Sequence, residues 1–365
     1  MSKSTDKDLG LIVLKNCEKF GKSIDEYLMT KRDTDQSFII PTEEIRFNNG
    51  EGKIVINSSV RDKDIYIISD VGNHSMTYEM FGYENHMGPD EHFQDIKRVI
   101  SAIRGQAERI TLVMPLLYES RQHKRKGRES LDCALALQEL QTLGVETIVT
   151  FDAHDTNVQN AVPTNLAFEN FYPTNNILKD FITNEEFNKN EIIFISPDTG
   201  AMDRAKYYAG MFQADVGMFY KRRDLTKVVN GKNPIVAHEY LGADVKDKVT
   251  VVVDDMIASG GSMLETAEEL KKRGAKKVFI ISTFALFTNG IEKFNEAFKN
   301  KLFDALYSTN LSYVSKEVLK QKWFKQTDCS SYAGKIIHTL NMSGSISNLK
   351  NGKEVILELL EKKNK

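Results

Sequence analysis

The feature of this sequence that most constrains its fold is a repeated alternation between short runs rich in Ile and Val and segments with a helical pattern. Predicted strands, each bounded by polar residues, cover 53–57, 64–69, 109–117 and 146–151 in the first half, and 192–196, 215–219, 249–253 and 277–284 in the second. Predicted helices cover 130–143, 201–211 and 262–273. Strands that alternate with helices form parallel sheets covered by helices, so we predict an α/β protein with two mainly parallel sheets.

The length of 365 residues agrees with two domains of about 150 residues each. The hydrophobic pattern weakens and prolines appear at 160–173, which predicts a first domain at 1–165, a second at 166–345 and a helical tail at 346–365. Within the second domain, 220–248 is polar and contains the run Lys221-Arg222-Arg223, which predicts a long functional or disordered loop. A weak internal echo between 65–76 and 251–263 predicts the order strand, acid, loop and helix start in both halves.

The charge balance and the short apolar runs argue against several classes of protein. Lys and Arg number 49 and Asp and Glu 51, whereas nucleic-acid coats and membrane-surface proteins carry excess positive charge. The longest apolar stretch, 278–287, has only ten residues and is interrupted by Ser282 and Thr283, against the roughly 20 that span a bilayer. The N-terminus lacks the apolar core of a signal peptide, and three scattered cysteines suggest neither a disulfide framework nor a zinc site. We therefore expect a cytoplasmic protein with neither nucleic acid nor membrane as a partner.

The most informative segment is 251–262, in which three valines precede Asp254-Asp255 and the small residues Ser259-Gly260-Gly261-Ser262 precede a helix. An apolar strand of an open α/β sheet delivers such carboxylates to the carboxyl edge, where ligands bind. Backbone N–H groups at the following helix N-terminus suit a phosphate. Together they suit a sugar phosphate, whose ribose hydroxyls would donate to the acids directly or reach them through Mg²⁺. The competing interpretation is an ordinary strand, turn and capped helix.

This segment resembles the phosphoribosyl-pyrophosphate (PRPP) binding motif of type I phosphoribosyltransferases and of PRPP synthetases. Five further segments, in the same order as in the synthetases, single out the ribose-phosphate pyrophosphokinase family. They resemble its adenine-site motif (Phe47-Asn48-Asn49-Gly50-Glu51), its ATP-binding segment (Tyr118 with Arg121-Gln122-His123), its metal-binding His (Phe151-Asp152-Ala153-His154), its Ser-Pro-Asp segment (Ser196-Pro197-Asp198, followed by Arg204) and its flexible catalytic loop (Lys221-Arg222-Arg223).

The resemblance implies two domains like type I phosphoribosyltransferases, each a mainly parallel sheet flanked by helices. The implied reaction moves the diphosphoryl group of ATP to ribose 5-phosphate and gives PRPP and AMP for nucleotide biosynthesis, with Mg²⁺ as cofactor. The implied site residues are Lys221 and Arg223 for catalysis; Phe47, Asn49, Glu51, Arg121, Gln122 and His123 for ATP; Asp254, Asp255, Ser259, Gly260, Gly261 and Ser262 for ribose 5-phosphate; and His154 and Asp198 for the metal. The resemblance also implies a homo-oligomer, a dimer or hexamer, with phosphate or ADP as effectors.

Several residues depart from the family pattern, which leaves alternatives open. Ala258 and Asn49 stand where acids are usual, His123 stands where an Asp is usual, and Asn157 occupies the place of a Gln. One extra residue separates Tyr118 from the Arg-Gln pair. A catalytically weak regulatory homologue and a phosphoribosyltransferase are therefore the alternative functions.

Each candidate residue also has a purely structural alternative. His154 could be a histidine satisfied by neighbouring acids, Asp198 a helix cap, and Phe47 a core aromatic. The run 221–223 could be a solvated charge run, and 121–128 a basic patch for nucleic acid.

Overall fold

The computed structural model describes residues 8–125, 127–162, 164–223 and 235–363, with 221–223 and 235–238 described by their backbone only. The chain divides into two compact units. The first unit comprises Met1–Pro173, Asn310–Tyr313 and Asp328–Asn351, and the second comprises Thr174–Thr309, Val314–Thr327 and Gly352–Lys365.

The first unit contains a parallel sheet and two hairpins. Up to residue 173 its elements are β1 (Leu9–Val13), α1 (Glu18–Lys31), β2 (Thr42–Arg46), β3 (Gly52–Ile56), β4 (Asp64–Ile68), β5 (Thr77–Met80), β6 (Tyr83–His86), α2 (Pro89–Ile103), β7 (Arg109–Val113), α3 (Asp132–Thr142), β8 (Thr147–Phe151) and β9 (Ala167–Phe171).

The main sheet of the first unit has the strand order β1-β4-β7-β8-β9, and every neighbouring pair is parallel. Its inner strand β4 is buried along its whole length, as expected where helices cover both faces. The apolar faces of α2 and α3 contribute Ile96, Val99, Leu137 and Leu140 to the same core. The antiparallel hairpins β2–β3 and β5–β6 are separate two-stranded sheets.

The second unit is built on one larger sheet. From residue 174 onward the elements are α4 (Thr174–Asn184), β10 (Ile192–Ser196), α5 (Met202–Phe212), β11 (Asp215–Arg223), β12 (Ile235–Leu241), β13 (Val249–Ile257), α6 (Gly261–Lys272), β14 (Lys277–Ala285), α7 (Glu292–Lys299), β15 (Ala305–Thr309), α8 (Lys316–Leu319), β16 (Phe324–Thr327), α9 (Ser330–Asn341), α10 (Ser347–Lys350) and α11 (Lys353–Lys363). Of these, α9 and α10 belong to the first unit.

The sheet of the second unit has the order β12-β11-β10-β13-β14-β15-β16 and is parallel except for β12. Val251, Val252 and Val253 of β13 are fully buried, which explains the run of valines. Helix α11 packs on α4 and α5 and buries Ile356 and Leu360, so the predicted helix in the tail is present.

The predicted α/β class with mainly parallel sheets is confirmed, but three details differ. The predicted strand 109–117 ends at Val113, two residues before Pro115. The predicted loop 220–248 includes the end of β11 and all of β12; its residues 224–234 lie outside the described part of the chain. The internal echo also fails, because hairpin β5–β6 follows Asp70 and the next helix begins at Pro89.

The compact units differ from the predicted domains 1–165, 166–345 and 346–365, because 328–351 groups with the first unit. The three predicted domains remain a prediction about which parts of the chain can fold separately. Among the described residues, no helix is long and apolar enough to cross a membrane.

Candidate functional site

The carboxyl edge of the sheet in the second unit gathers most of the candidate residues. Strands β10 and β13 are parallel neighbours in which Ile195 pairs with Val252. Chain segments that follow these positions therefore emerge at the same edge, with Asp198 after β10 and the Asp254-Asp255 pair near the end of β13. In α/β sheets this edge is where ligands bind.

Asp254 and Asp255 form a desolvated acidic pair. Asp255 is buried, and its backbone N–H donates a 2.9 Å hydrogen bond to Oδ1 of Asp254. Burial, followed by the charge of Asp255, raises the pKa of the Asp254 carboxyl well above its usual value, while Arg204 opposes that rise. The pair therefore tends to retain a proton until a partner favours ionisation, and a hydroxyl donor or a cation is such a partner.

The segment after β13 forms an open helix N-terminus. Gly260 is the N-cap of α6, with φ +77°, and has no side chain to accept the first-turn N–H groups. Space around the Cα of Gly261 is open, since a Cβ there would meet no atom within 4 Å. Ser259 and Ser262 are exposed on either side of the two glycines. This arrangement can hold a phosphate through backbone donors and the helix dipole.

Asp198 is exposed and organises the loop before α5. Its Oδ1 accepts hydrogen bonds from the N–H groups of Gly200 at 2.8 Å and Ala201 at 3.2 Å. Asp198 is not the cap of α5, since Ala201 is its N-cap, but the carboxylate holds the loop that leads into that helix. Both bonds use the same oxygen, and within the described residues the structure gives Oδ2 no hydrogen bond. The carboxylate can thus hold the loop through Oδ1 and still offer Oδ2 to a cation.

The backbone of Lys221 and Arg223 belongs to β11, the neighbour of β10. Met218 pairs with Ser196, the last residue of β10, and β11 continues to Arg223 beyond that point. Lys221 pairs with His238 of β12, and the register shifts between Arg222 and Arg223. Strand β11 therefore carries the backbone of Lys221 and Arg223 beyond the carboxyl end of β10, which is also the end that Asp198 lies after.

In the first unit, the structure brings together His123 and His154, which are 31 positions apart in the sequence. His154 is exposed just after β8, and its ring centre lies 5.5 Å from that of His123. Nε2 of His123 lies 3.1 Å from Oδ2 of Asp155, and its Nδ1 lies 3.2 Å from the Ser120 carbonyl oxygen. Burial raises the pKa of Asp155, but the Asn157 backbone N–H and His123 outweigh this and hold it below its usual value. The sequence suggested Asp155 only as an acid beside His154, and its contact with His123 was not predicted.

Arg121 and Gln122 lie in an exposed turn in which the Gln122 N–H donates to the Glu119 carbonyl at 2.8 Å. The turn follows Tyr118, whose ring stacks on Phe93 at 4.3 Å. The Tyr118 hydroxyl donates a 2.6 Å hydrogen bond to Asp90, a residue that sequence reasoning missed. These contacts of Tyr118 hold the start of the predicted ATP segment in place, and the side chain of Arg121 is exposed to solvent.

The motif 47–51 is the loop of hairpin β2–β3. The Phe47 N–H donates to the Glu51 carbonyl and the Gly50 N–H to the Phe47 carbonyl, both at 2.8 Å. Oδ1 of Asn49 accepts from the Glu51 N–H at 3.1 Å, so this Asn shapes the loop. The Phe47 side chain is 47% exposed, which excludes a core role.

The predicted site residues are divided between the two units. Within the described residues, no hydrogen bond or ion pair links the 47–51 loop to 121–123. His154 belongs to the first unit and Asp198 to the second. No group of three or more His, Cys, Asp or Glu side chains in the described part of the chain could hold a metal ion by itself.

Comparisons with known proteins find relatives for both halves of the chain. The family described as the N-terminal domain of ribose phosphate pyrophosphokinase matches residues 9–144, and the phosphoribosyl transferase domain family matches 175–305. Ribose-phosphate pyrophosphokinase A of Dictyostelium discoideum is 30% identical over 255 residues, covering 69% of this chain and 73% of that protein. Ribose-phosphate pyrophosphokinase of Mycoplasma genitalium is 30% identical over 306 residues, covering 82% and 84%.

The fold is similar to that in the crystal structure of phosphoribosylpyrophosphate synthetase from Mycobacterium smegmatis. The TM-score is 0.76, and the match covers 93% of this chain and 100% of that chain. The sequence identity is 19%, so this likeness supports the fold alone.

Proposed function

Because the chain belongs to the ribose-phosphate pyrophosphokinase family, we propose that it transfers the diphosphoryl group of ATP to the 1-hydroxyl of ribose 5-phosphate, giving PRPP and AMP. The observation that carries the proposal is the junction of β13 and α6. There a desolvated pair of carboxyls precedes an uncapped helix N-terminus by a few residues. These are the two kinds of partner that a sugar hydroxyl and a phosphate require.

In this proposal, Ser259, Gly260, Gly261 and Ser262 hold the 5′-phosphate, and the acids accept hydrogen bonds from the ribose hydroxyls. Such bonds favour the ionised form of Asp254 and thus oppose the effect of burial on its pKa. Holding the sugar by both ends fixes the 1-hydroxyl for attack, which is much of what phosphoryl transfer requires of a protein.

The ATP side involves residues of the first unit. Phe47 and Glu51 would contact adenine, with Asn49 supporting the loop, and Arg121, Gln122 and His123 would lie near the phosphates. The exposed ring of Phe47 and the exposed side chain of Arg121 support these roles. Lys221 and Arg223 would neutralise charge on the transferring group, the usual task of Lys and Arg in phosphoryl transfer.

We propose Mg²⁺ as the metal, since it is commonly held by one or two carboxylates together with substrate phosphates and needs no all-protein cage. Asp198 fits that mode because it is an exposed oxygen donor and no larger ligand cluster occurs within the described residues. His154 is a nitrogen donor and fits a hard cation less well, so we propose Asp198 as the principal metal ligand and His154 as the weaker one. The bound cation supplies neutralisation of phosphate charge.

We further propose that the protein acts in nucleotide biosynthesis in the cytoplasm as a homo-oligomer, a dimer or hexamer, with phosphate or ADP as effectors. These proposals follow from family membership.

Formation of AMP from ATP tests the reaction. Purified protein with MgATP and ribose 5-phosphate is expected to release AMP and PRPP together, and to release neither when ribose 5-phosphate is omitted. A phosphoribosyltransferase would consume added PRPP and form no AMP from these substrates. A regulatory homologue would bind both ligands without turnover.

A further inference from the structure

Hairpin β5–β6 lies outside every motif singled out in the sequence, yet it presents two large aromatic side chains to solvent. Met80 pairs with Tyr83, so Phe81 and Gly82 form a two-residue turn. Phe81 and Tyr83 are each 74% exposed, more than any other large hydrophobic side chain in the described residues.

The turn places Phe81 in a conformation that its side chain disfavours. Phe81 has φ +51° and Gly82 has φ +80°. Two-residue hairpin turns with positive φ at both positions favour Asn, Asp or Gly. A bulky residue in this region is an outlier that suggests a function, because neither burial nor turn geometry explains an aromatic ring here.

The tip of this hairpin is fixed to the loop that carries Phe47. The Phe81 N–H donates a 2.9 Å hydrogen bond to the carbonyl of Asn48, the residue after Phe47. Behind the tip, the Arg46 guanidinium lies 5.2 Å from the centre of the Tyr78 ring and forms a 2.6 Å ion pair with Asp95 of α2. The exposed rings of Phe47 and Phe81 therefore belong to two hairpins that are hydrogen-bonded to each other.

We propose that Phe81, with Tyr83 beside it, is a second aromatic contact for the base of the bound nucleotide, in addition to Phe47. The inference rests on the proposed function, because it takes the 47–51 loop to be the adenine site. Every nucleobase has a π face that stacks on aromatic rings, so an exposed and fixed ring next to that loop suits a base and offers nothing to the phosphates.

Calorimetric titration with ATP and with inorganic tripolyphosphate, both with MgCl₂, separates contacts to the base from contacts to the phosphates. Phe81→Asn suits the turn and removes the ring. We expect it to weaken ATP binding about 5- to 150-fold, the range of one lost base stack, and to leave tripolyphosphate binding within about twofold. Phe81→Trp is expected to retain ATP affinity. Leu319→Asn, which removes an exposed apolar side chain in the second unit, is the matched control and is expected to bind both ligands normally.

Unchanged ATP affinity in Phe81→Asn overturns the inference and leaves the proposed function intact. A parallel loss of tripolyphosphate affinity also overturns it. A change in sedimentation with unchanged ATP affinity assigns the tip to contact with a second copy of the chain and overturns it as well. Wild-type protein that binds no ATP overturns the proposed function together with the inference.

Discussion

Oδ1 of Asp254 lies 3.8 Å from Nη1 of Arg204, which extends from the helix following the neighbouring strand. The guanidinium offsets part of the repulsion between Asp254 and Asp255, but burial and that repulsion still keep the pKa of Asp254 high. Ligand binding that ionises the pair must release a proton. Affinity for a hydroxyl donor should therefore rise with pH as Asp254 loses its proton.

We expect Asp255→Ala to weaken ribose 5-phosphate binding about 10- to 150-fold, because a hydrogen bond to a charged group contributes about 1.5–3 kcal/mol. ATP binding is expected to change much less. Asp254 compensates in part, so the double variant Asp254→Ala/Asp255→Ala is expected to bind ribose 5-phosphate more weakly than either single variant. Titration of each folded variant with each ligand measures these effects.

The pH dependence of the same variant provides a second readout. Removing Asp255 removes a charge that raises the pKa of Asp254, so the rise of affinity with pH should move to lower pH. Lower thermal stability with unchanged ribose 5-phosphate affinity would instead assign both acids a purely structural role at the strand end.

Lys221→Ala is expected to lower turnover by about 10³-fold or more while leaving ribose 5-phosphate affinity nearly intact. A charge used chiefly in the transition state affects kcat more than ground-state binding. Arg222→Ala removes a charge from the same run at a position with no assigned role, and it serves as the control. Equal turnover in wild type and Lys221→Ala would make the run a solvated charge cluster.

The two central glycines after β13 differ in their surroundings, which allows a matched stability test. A Cβ on Gly260 would lie 2.3 Å from ring atoms of Phe294, and φ there is +77°; a Cβ on Gly261 would meet nothing within 4 Å. We expect Gly260→Ala to lower the free energy of unfolding by about 2–5 kcal/mol, from backbone strain and overpacking. Gly261→Ala should change it by less than about 1 kcal/mol. Urea denaturation measures both, and equal values would contradict the tight packing of Gly260.

The second-unit sheet was predictable where strands are buried on both faces, because such strands consist of uninterrupted Ile and Val, as at 251–253. Strand β12 was not predicted, since His238 and Glu239 interrupt the apolar residues of this edge strand and the segment around it is rich in polar residues. The spacing of the apolar residues in α9 indicates that the helix has an apolar face, but it does not indicate which element packs against that face. Its packing against α1, with the Arg32 guanidinium donating to Asn341, depends on tertiary structure.

In the candidate site, too, the features that a local sequence pattern indicates could be predicted, and those that depend on tertiary contacts could not. Residues 254–262 form a local motif, so the strand, acids, glycines and helix start could be identified from adjacent positions. The contact between His123 and Asp155 joins two loops of the first unit, and no local pattern indicates it. Similarly, Phe81 is part of no sequence motif, and only its exposure and its backbone conformation in the structure mark it as a candidate binding residue.

Asp70, which follows β4 in the first unit, is a buried carboxyl that accepts hydrogen bonds from neighbouring residues. It accepts hydrogen bonds from the Tyr313 N–H at 2.7 Å, the Ser312 hydroxyl at 2.9 Å and the Gly72 N–H at 2.9 Å. Burial raises its pKa to about 6 despite these donors. The folded protein therefore holds a proton that the unfolded chain releases between about pH 4 and pH 6, so this group's contribution to stability decreases as pH rises through that window.

We expect Asp70→Asn, which cannot ionise, to lose this dependence. The free energy of unfolding of wild type should fall relative to that of Asp70→Asn by up to about 3 kcal/mol between pH 4 and pH 7, because each pH unit of one-proton linkage contributes about 1.4 kcal/mol. Urea denaturation at several pH values measures the difference. Ser312→Ala removes a donor that favours the carboxylate, so it should raise the pKa of Asp70 further and move the window to higher pH. Parallel pH profiles for wild type and Asp70→Asn would show that Asp70 ionises normally in the folded protein.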